Sequence, residues 1–126
     1  MTIEADLSGW VTVRSLTTNA GSEATPTTGN AFVEVAGQPM PRVEVRAVSG
    51  SIAGSPTSVT LAIWRKSGGY VDKIGTWEIQ ATDIATAIPQ MFESYDQSIY
   101  VTVASFSGGS TPTLTATIQA RGVFGG

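Results

Sequence analysis

The chain contains no cysteine and no histidine, and these two absences remove several kinds of chemistry. Without cysteine there are no disulfides, thiolate metal ligands or thiol nucleophiles. Without histidine the chain lacks the commonest metal ligand and the one side chain whose unperturbed pKa lies near neutrality. The usual serine and cysteine nucleophile arrangements therefore lose either their base or their nucleophile. We expect no catalytic residue, no metal site and no cofactor, and we predict that the protein is not an enzyme.

Charged residues are also scarce, at 13% of the 126 residues, which is about half the usual share. The seven lysines and arginines are spread along the chain, so there is no basic stripe, and we expect no nucleic-acid partner. No apolar run approaches the roughly 18 residues of a transmembrane helix. The first six residues carry two acids and no cationic stretch, unlike a signal peptide. We therefore expect synthesis in the cytoplasm and no membrane partner.

Ten carboxylates remain, and a pair of them is the minimum that glycoside hydrolysis requires. Glu44 lies on the polar side of its predicted strand beside Arg46, and nothing in the spacing brings two acids together in a cleft. Asp72 and residues 93–97 offer the oxygen ligands that calcium prefers, but the EF-hand loop pattern is absent. The pattern favours solvated carboxylates on strand faces and loops.

Threonine, serine and glycine take the place of the missing charge, with seventeen, thirteen and 14 residues. Threonine suits a pleated, half-buried surface, and glycine and serine suit turns. Apolar residues alternate with polar ones, as half-buried antiparallel strands require. The sequence predicts an all-β fold, an antiparallel β-sandwich of the jelly-roll or immunoglobulin-like type with about seven or eight strands. The predicted strands are residues 10–14, 31–35, 43–48, 59–64, 70–79 (with a bulge at Gly75), 99–104 and 113–120.

The N-terminal part differs from the rest of this single predicted domain. Residues 17–30 contain no large apolar residue, and loops of this length are uncommon in compact domains. Residues 1–30 are therefore predicted to be an N-terminal strand or extended arm followed by a polar loop, and residues 31–126 the β-sandwich. Two interpretations stay open: the loop is a solvated connection, or it tethers an arm of residues 1–16 that pairs with a neighbouring subunit.

Four aromatic residues are candidates for an interface or a ligand platform. Trp64 and Tyr100 fall on the polar sides of their strands and are exposed unless a loop, residues 83–92 or another subunit covers them. Exposed tryptophan and tyrosine combine a large apolar area with a polar handle, which suits sugar stacking and protein interfaces. Trp10 and Trp77 complete the set, although a core position or an arm contact is the favoured interpretation for both.

From about residue 42 to residue 122 the chain resembles the small β-sandwich proteins of tailed-phage virions. The segments that carry the resemblance are YDQSIYVTVAS at residues 95–105 and TLTATIQA at residues 113–120, joined by a Gly-Ser turn. Capsid decoration (cement) proteins and tail accessory proteins are similar in small size, in richness in threonine, serine and glycine, and in scarcity of cysteine and histidine.

The resemblance implies a non-enzymatic virion structural protein, most of all a capsid decoration protein that stabilises the head through subunit interfaces. It implies a homo-oligomer, with a trimer favoured, and a major capsid protein or another virion protein as partner. The expected location is the virion, after synthesis in the host cytoplasm. The alternative is a carbohydrate-binding or receptor-binding β-sandwich module of a tail tip or fibre, which would use aromatic platforms.

Overall fold

The computed structural model describes residues 6–19, 22–84 and 86–124, and within these ranges it contains nine β-strands and one short 3₁₀ helix. Among the described residues no helix is long and apolar enough to cross a membrane. The helix spans Ala81–Asp83. The strands are β1 (Asp6–Leu7), β2 (Val11–Thr18), β3 (Val33–Glu34), β4 (Met40–Ala53), β5 (Ser58–Ser67), β6 (Tyr70–Gln80), β7 (Gln90–Asp96), β8 (Ser98–Ser107) and β9 (Thr113–Phe124).

The strands form two antiparallel sheets, which confirms the predicted all-β sandwich. In sheet A, strands β1 and β2 lie one after the other along the same edge of β9, which continues to β4 and then β7. In sheet B the order is β3-β8-β5-β6. Each sheet therefore has two central strands and two edges, and the edges are β1/β2 and β7 in sheet A and β3 and β6 in sheet B.

The strand pairing selects the jelly roll over the immunoglobulin-like alternative. Strand β2 pairs with β9, β3 with β8, β4 with β7 and β5 with β6. These nested pairs are those of one long hairpin that has folded over on itself, which is the winding of an eight-stranded jelly roll. Immunoglobulin-like sheets do not nest their strands in this way.

The core lies between the two sheets and is built by the two-residue alternation of the sequence. Val43 and Val45 of β4 face the interior of the sandwich together with Ile118 of β9, and all three are fully buried. On the facing side of sheet B, Leu61 and Ile63 of β5 are also fully buried. Full burial of an aliphatic side chain stabilises a fold by about 1.5–3 kcal/mol. The alternation therefore both selects the strands and supplies the core that holds the sheets together.

The predicted extended N-terminal arm is not confirmed. Residues 1–5 lie outside the described residues, but Asp6–Leu7 and Val11–Thr18 pair with β9 of the same chain. Val13 and Leu16 of β2 are buried in the core. The described part of the segment that the sequence predicts as an arm thus lies at an edge of sheet A.

Candidate interaction surfaces

Several acidic side chains of the described residues pair with arginines, and none of these residues form a cluster that could hold a metal ion. Glu44 of β4 is paired with Arg121 of the neighbouring β9 at 2.7 Å. Asp72 and Asp96 both contact Arg65, at 3.5 Å and 3.4 Å. Glu44 is therefore held in an ion pair of its own, whereas Asp72 and Asp96 share one arginine.

Trp77 is not available as a platform, because it lies in the core. It is only 6% exposed and stands opposite Leu61 of β5 in the sheet B register. This burial agrees with the core position, one of the two positions that the sequence favours for Trp77. Of the four predicted aromatic residues, Trp77 is therefore removed from the interface and ligand candidates.

Trp64 lies on the outer face of sheet B and is fixed there by its own strand neighbours. Its indole Nε1–H donates a hydrogen bond of 2.8 Å to Oγ1 of Thr102, a buried threonine of the adjacent strand β8. The Lys73 ammonium lies 6.0 Å from the centroid of its ring. The polar handle that would orient a ligand is thus used inside the chain, and only part of the ring is accessible.

Tyr100, the register partner of Trp64 on β8, is covered by the chain itself. The ring of Phe32 lies 5.4 Å from the Tyr100 ring, centroid to centroid, and the Arg14 guanidinium lies 5.1 Å from it. The covering residues come from the segment before β3 and from β2, and not from residues 83–92. Tyr100 therefore belongs to an internal aromatic and cationic stack.

Trp10 fastens the start of β2 to the outer face of sheet A. The guanidinium groups of Arg46 and Arg121 lie 3.9 Å and 4.4 Å from its ring centroid. Both arginines are oriented by hydrogen bonds across the strands, from Arg46 to Gln119 and from Arg121 to Glu44. Cation–π contacts of this kind stabilise exposed sites by about 0.5–1 kcal/mol each, so Trp10 has a structural role at the edge strand.

The polar segment 17–30 is fastened to the sandwich by an ion pair that its composition does not reveal. Two nitrogens of the Arg14 guanidinium donate to the two carboxylate oxygens of Glu23, both at 2.8 Å. Arg14 also donates to the carbonyl of Val101 at 2.8 Å, and the amide of Val103 donates to Glu23 Oε1 at 2.8 Å. In return, the Glu23 amide donates to the Val103 carbonyl. Contacts between polar groups therefore anchor this segment to the sandwich, and Pro26 within it is also buried.

A β-bulge places Arg14 where it can make these contacts. The register between β2 and β9 shifts between Thr12 and Arg14, and Arg14 then stands opposite Ile118, a residue of the core side. Bulges commonly redirect a side chain in this way. Arg14 thus crosses from the edge of sheet A to the edge of sheet B.

The ion pair perturbs both of its members. Burial by itself raises the pKa of the Glu23 carboxyl, but the hydrogen bonds from Arg14 and from the Val103 amide outweigh it, and the pKa lies below its usual value. The hydrogen bond to Glu23 likewise raises the pKa of Arg14. Both shifts favour the charged forms, so the pair persists at neutral pH.

One large part of the sheet A surface carries no charge. Ser15, Thr117 and Ser49 form one row across β2, β9 and β4, and Thr17, Thr115 and Ser51 form the next row. We call these six residues the hydroxyl face. Apart from the half-buried Thr117 they are exposed, and they line a shallow depression of about 480 Å³.

The two most exposed tyrosines lie at one end of the sandwich and were missed by the sequence interpretation. Tyr70 is 76% exposed at the start of β6, and Tyr95 is 60% exposed near the end of β7. Arg65 contacts a residue near each tyrosine: it pairs with Asp72, two residues after Tyr70, and donates a hydrogen bond to the carbonyl of Ser94, next to Tyr95. We call Tyr70, Tyr95 and Arg65 the tyrosine end. A signal was present in the sequence, since Tyr70 directly follows two glycines of a turn.

Tyr95 has a backbone conformation that is rare for a bulky residue. Its φ angle is +62°, in the left-handed region that glycine, asparagine and aspartate adopt more readily. The adjacent Ser94 hydroxyl bonds to the carbonyl and the amide of Asp96, both at 3.3 Å, which holds the turn in place. Strained residues of this kind cluster at functional sites.

Comparisons with known proteins identify no relative: no protein-family model, no curated protein and no solved structure matches the chain.

Proposed function

We propose that the chain is a virion structural protein of the capsid decoration type, which acts by burying its sheet surfaces against other virion subunits. The observation that carries this proposal is the hydroxyl face. Its two rows of three residues form a continuous uncharged surface on three neighbouring strands. The resemblance to small phage β-sandwich proteins and the jelly-roll winding are consistent with this function, although the fold alone does not determine it.

The chemistry of the hydroxyl face suits a docking surface better than a reaction site. Short side chains such as Ser49 and Ser51 lose little conformational entropy when they are covered, compared with long ones. No charge has to be removed from water at these positions, so burial avoids the large desolvation penalty of ions. The hydroxyls act as both donors and acceptors, so a partner can either accept hydrogen bonds from them or donate hydrogen bonds to them.

Co-sedimentation with purified tailed-phage heads that lack their decoration protein tests the proposal. The heads come from the virus or the lysogen that is the source of the sequence. We expect saturable binding, with a fixed number of copies for each capsomer, and heads that resist heating better when the chain is bound. Absence of binding at all concentrations would refute the proposal.

A pair of matched variants connects the binding to the hydroxyl face. Ser51→Lys places a long charged side chain on the hydroxyl face in β4. Ser105→Lys makes the same change at an exposed strand residue of β8, in the other sheet. We expect Ser51→Lys to abolish head binding and Ser105→Lys to preserve it. Equal binding by both variants would show that the hydroxyl face is not the contact surface.

A second candidate function, a receptor-binding or carbohydrate-binding module, is favoured by the tyrosine end. Two exposed tyrosines beside an arginine and carboxylates supply stacking surfaces together with hydrogen-bond donors and acceptors. Binding to a glycan array that is lost in Tyr70→Ala and in Tyr95→Asn, but kept in Trp64→Phe, would support this function. Asparagine tolerates the backbone conformation of residue 95. An array without signal for the unmodified chain would remove this candidate.

A further inference from the structure

Strand β8 has an edge that its neighbour β3 covers only in part. Strand β3 is two residues long and pairs with Ser98 and Ile99. Beyond this pairing, Val101 and Val103 direct backbone groups away from β5, toward the edge of the sheet. They belong to the stretch IYVTVA at residues 99–104, which has no charge and no proline. Open edges of this composition are templates for the addition of a foreign strand.

Glu23 closes this edge by replacing one residue of a paired strand. Its amide donates to the Val103 carbonyl at 2.8 Å, as the amide of a strand residue would. Its carboxylate takes the place of a strand carbonyl, because it accepts a hydrogen bond of 2.8 Å from the Val103 amide. Arg14, which the same carboxylate holds, donates to the Val101 carbonyl. Three outward groups of the edge are therefore satisfied without a strand.

The segment that contains Glu23 buries little of itself against the sandwich. We call residues 22–30 the strap. Of these nine residues, Pro26 is buried, Glu23 is half-buried and the other seven are exposed. The Thr27 amide donates to Asn30 Oδ1 at 2.7 Å, and the Asn30 amide donates to the Thr27 carbonyl, so these groups bond within the strap. Segments with few buried contacts open locally at a lower free energy than the whole domain.

We propose that the strap is a conformational switch that closes the β8 edge while Glu23 is ionised and opens on acidification while the sandwich stays folded. Within the described residues, the groups that face Glu23 are Arg14 of β2 and, behind it, Tyr100 of β8, whose ring lies 5.1 Å from the guanidinium. Protonation of the carboxylate removes the charge that holds Arg14, so the bonds to the edge weaken together. The switch does not depend on the proposed decoration function.

The direction of the pH effect follows from the closed geometry. Burial raises the pKa of Glu23, but the hydrogen bonds from Arg14 and from the Val103 amide outweigh it and hold the pKa below its usual value. In the open strap the carboxyl returns to about 4.3. Ionisation therefore favours the closed strap fully above about pH 4.3, and this preference is lost as the pH falls through the folded-state pKa. Within that window the opening constant rises by up to about tenfold for each pH unit.

Amide hydrogen exchange measured by NMR on the full chain tests whether the strap opens alone. The Val103 amide reports on the strap, whereas the neighbouring Thr102 amide points toward β5 and reports on the sandwich. After correction for intrinsic rates, we expect Val103 to exchange about tenfold faster than Thr102 or more. Low urea concentrations should accelerate only Thr102, because opening of the strap exposes little surface. Equal rates with equal urea dependence would overturn the proposal, because the strap would then open only with the whole sandwich.

Two matched variants assign the pH dependence to Glu23. Glu23→Gln keeps the shape of the side chain and an acceptor oxygen but cannot ionise, and Glu34→Gln makes the same change at an exposed residue of β3. We expect Val103 exchange to accelerate on acidification from about pH 5 to about pH 3 in the unmodified chain and in Glu34→Gln. In Glu23→Gln it should be fast already at neutral pH and lack this acceleration. The same acceleration in Glu23→Gln, or none in the unmodified chain, would contradict the switch.

Discussion

Replacement of Glu23 by alanine should destabilise the protein more than any other single change of an acidic residue outside the core. The Glu23 carboxylate accepts two hydrogen bonds from Arg14 and one from the Val103 amide, all of 2.8 Å. Glu23→Ala removes all three and leaves the Arg14 guanidinium without its counter-ion between the two sheets. It also detaches the segment that covers the free edge of β8.

The expected magnitude follows from the burial of the pair. The side chains of Arg14 and Glu23 are 21% and 18% exposed, so the pair lies between a surface ion pair, which contributes about 0–1 kcal/mol, and a fully buried one, whose disruption costs about 3–5 kcal/mol. Hydrogen bonds to charged groups contribute about 1.5–3 kcal/mol. We therefore expect a loss of about 2–3 kcal/mol in the free energy of unfolding. For a domain of this size that corresponds to a decrease in Tm of about 8–12 °C.

The pH dependence of the unfolding free energy gives an independent signature. The folded-state pKa of Glu23 is lowered, so its contribution is fully present above the unfolded value of about 4.3 and is lost as pH falls through the folded pKa. Glu23→Gln carries no carboxylate and lacks this dependence. The difference in stability between the unmodified chain and Glu23→Gln should therefore be constant near neutral pH and should shrink below about pH 4.3.

Urea denaturation followed by tryptophan fluorescence measures both effects. The control is Glu34→Ala, which removes an exposed glutamate of β3 and should change the free energy by less than about 0.5 kcal/mol. If Glu23→Ala and Glu34→Ala were equally stable, or if the Glu23→Gln difference did not depend on pH, the Arg14–Glu23 pair would not be the anchor of residues 17–30.

Two further predictions concern the packing of sheet B. Gly75→Ala should cost about 1–3 kcal/mol, because the new methyl group meets the ring of Phe92, with Cε1 at 2.6 Å. Gly69→Ala, where nothing lies within 4 Å, should be close to neutral in the same urea denaturation assay, and equal effects of the two substitutions would refute this explanation. Trp64→Phe removes the donor to the buried Thr102 hydroxyl and should cost about 1–2 kcal/mol. In a double-mutant cycle with Thr102→Val, the double variant should lose less stability than the sum of the losses of the two single variants. Strict additivity would show that the hydrogen bond contributes nothing.

The sandwich could be predicted because its core obeys a local rule. The buried residues of β4, β5, β8 and β9 alternate with polar ones, and the sequence shows that period directly. Strand β7 was missed because its alternation is weak: Met91 is exposed, Phe92 is half-buried, and the fully buried position is a serine, Ser94.

The surface contacts could not be predicted, because they depend on the winding of the chain. Arg14 and Glu23 are nine residues apart, but their contact with Val101 and Val103 exists only because the jelly roll brings β2 beside β8. The surroundings of the aromatic candidates depend on the winding of the chain in the same way. Period two correctly placed Trp64 and Tyr100 on the outer side of their strands, but it does not report what covers that side.

The proposed role of this jelly roll is that of a structural component of a virus particle that acts through its surfaces. Electron cryomicroscopy of purified particles from the source of the sequence, combined with mass spectrometry of their proteins, tests it most directly. We expect the chain to be present in many symmetry-related copies and to contact neighbouring subunits through the hydroxyl face. Particles that lack the chain would contradict the proposed role. So would particles in which the chain contacts its neighbours through other surfaces and leaves the hydroxyl face open to solvent.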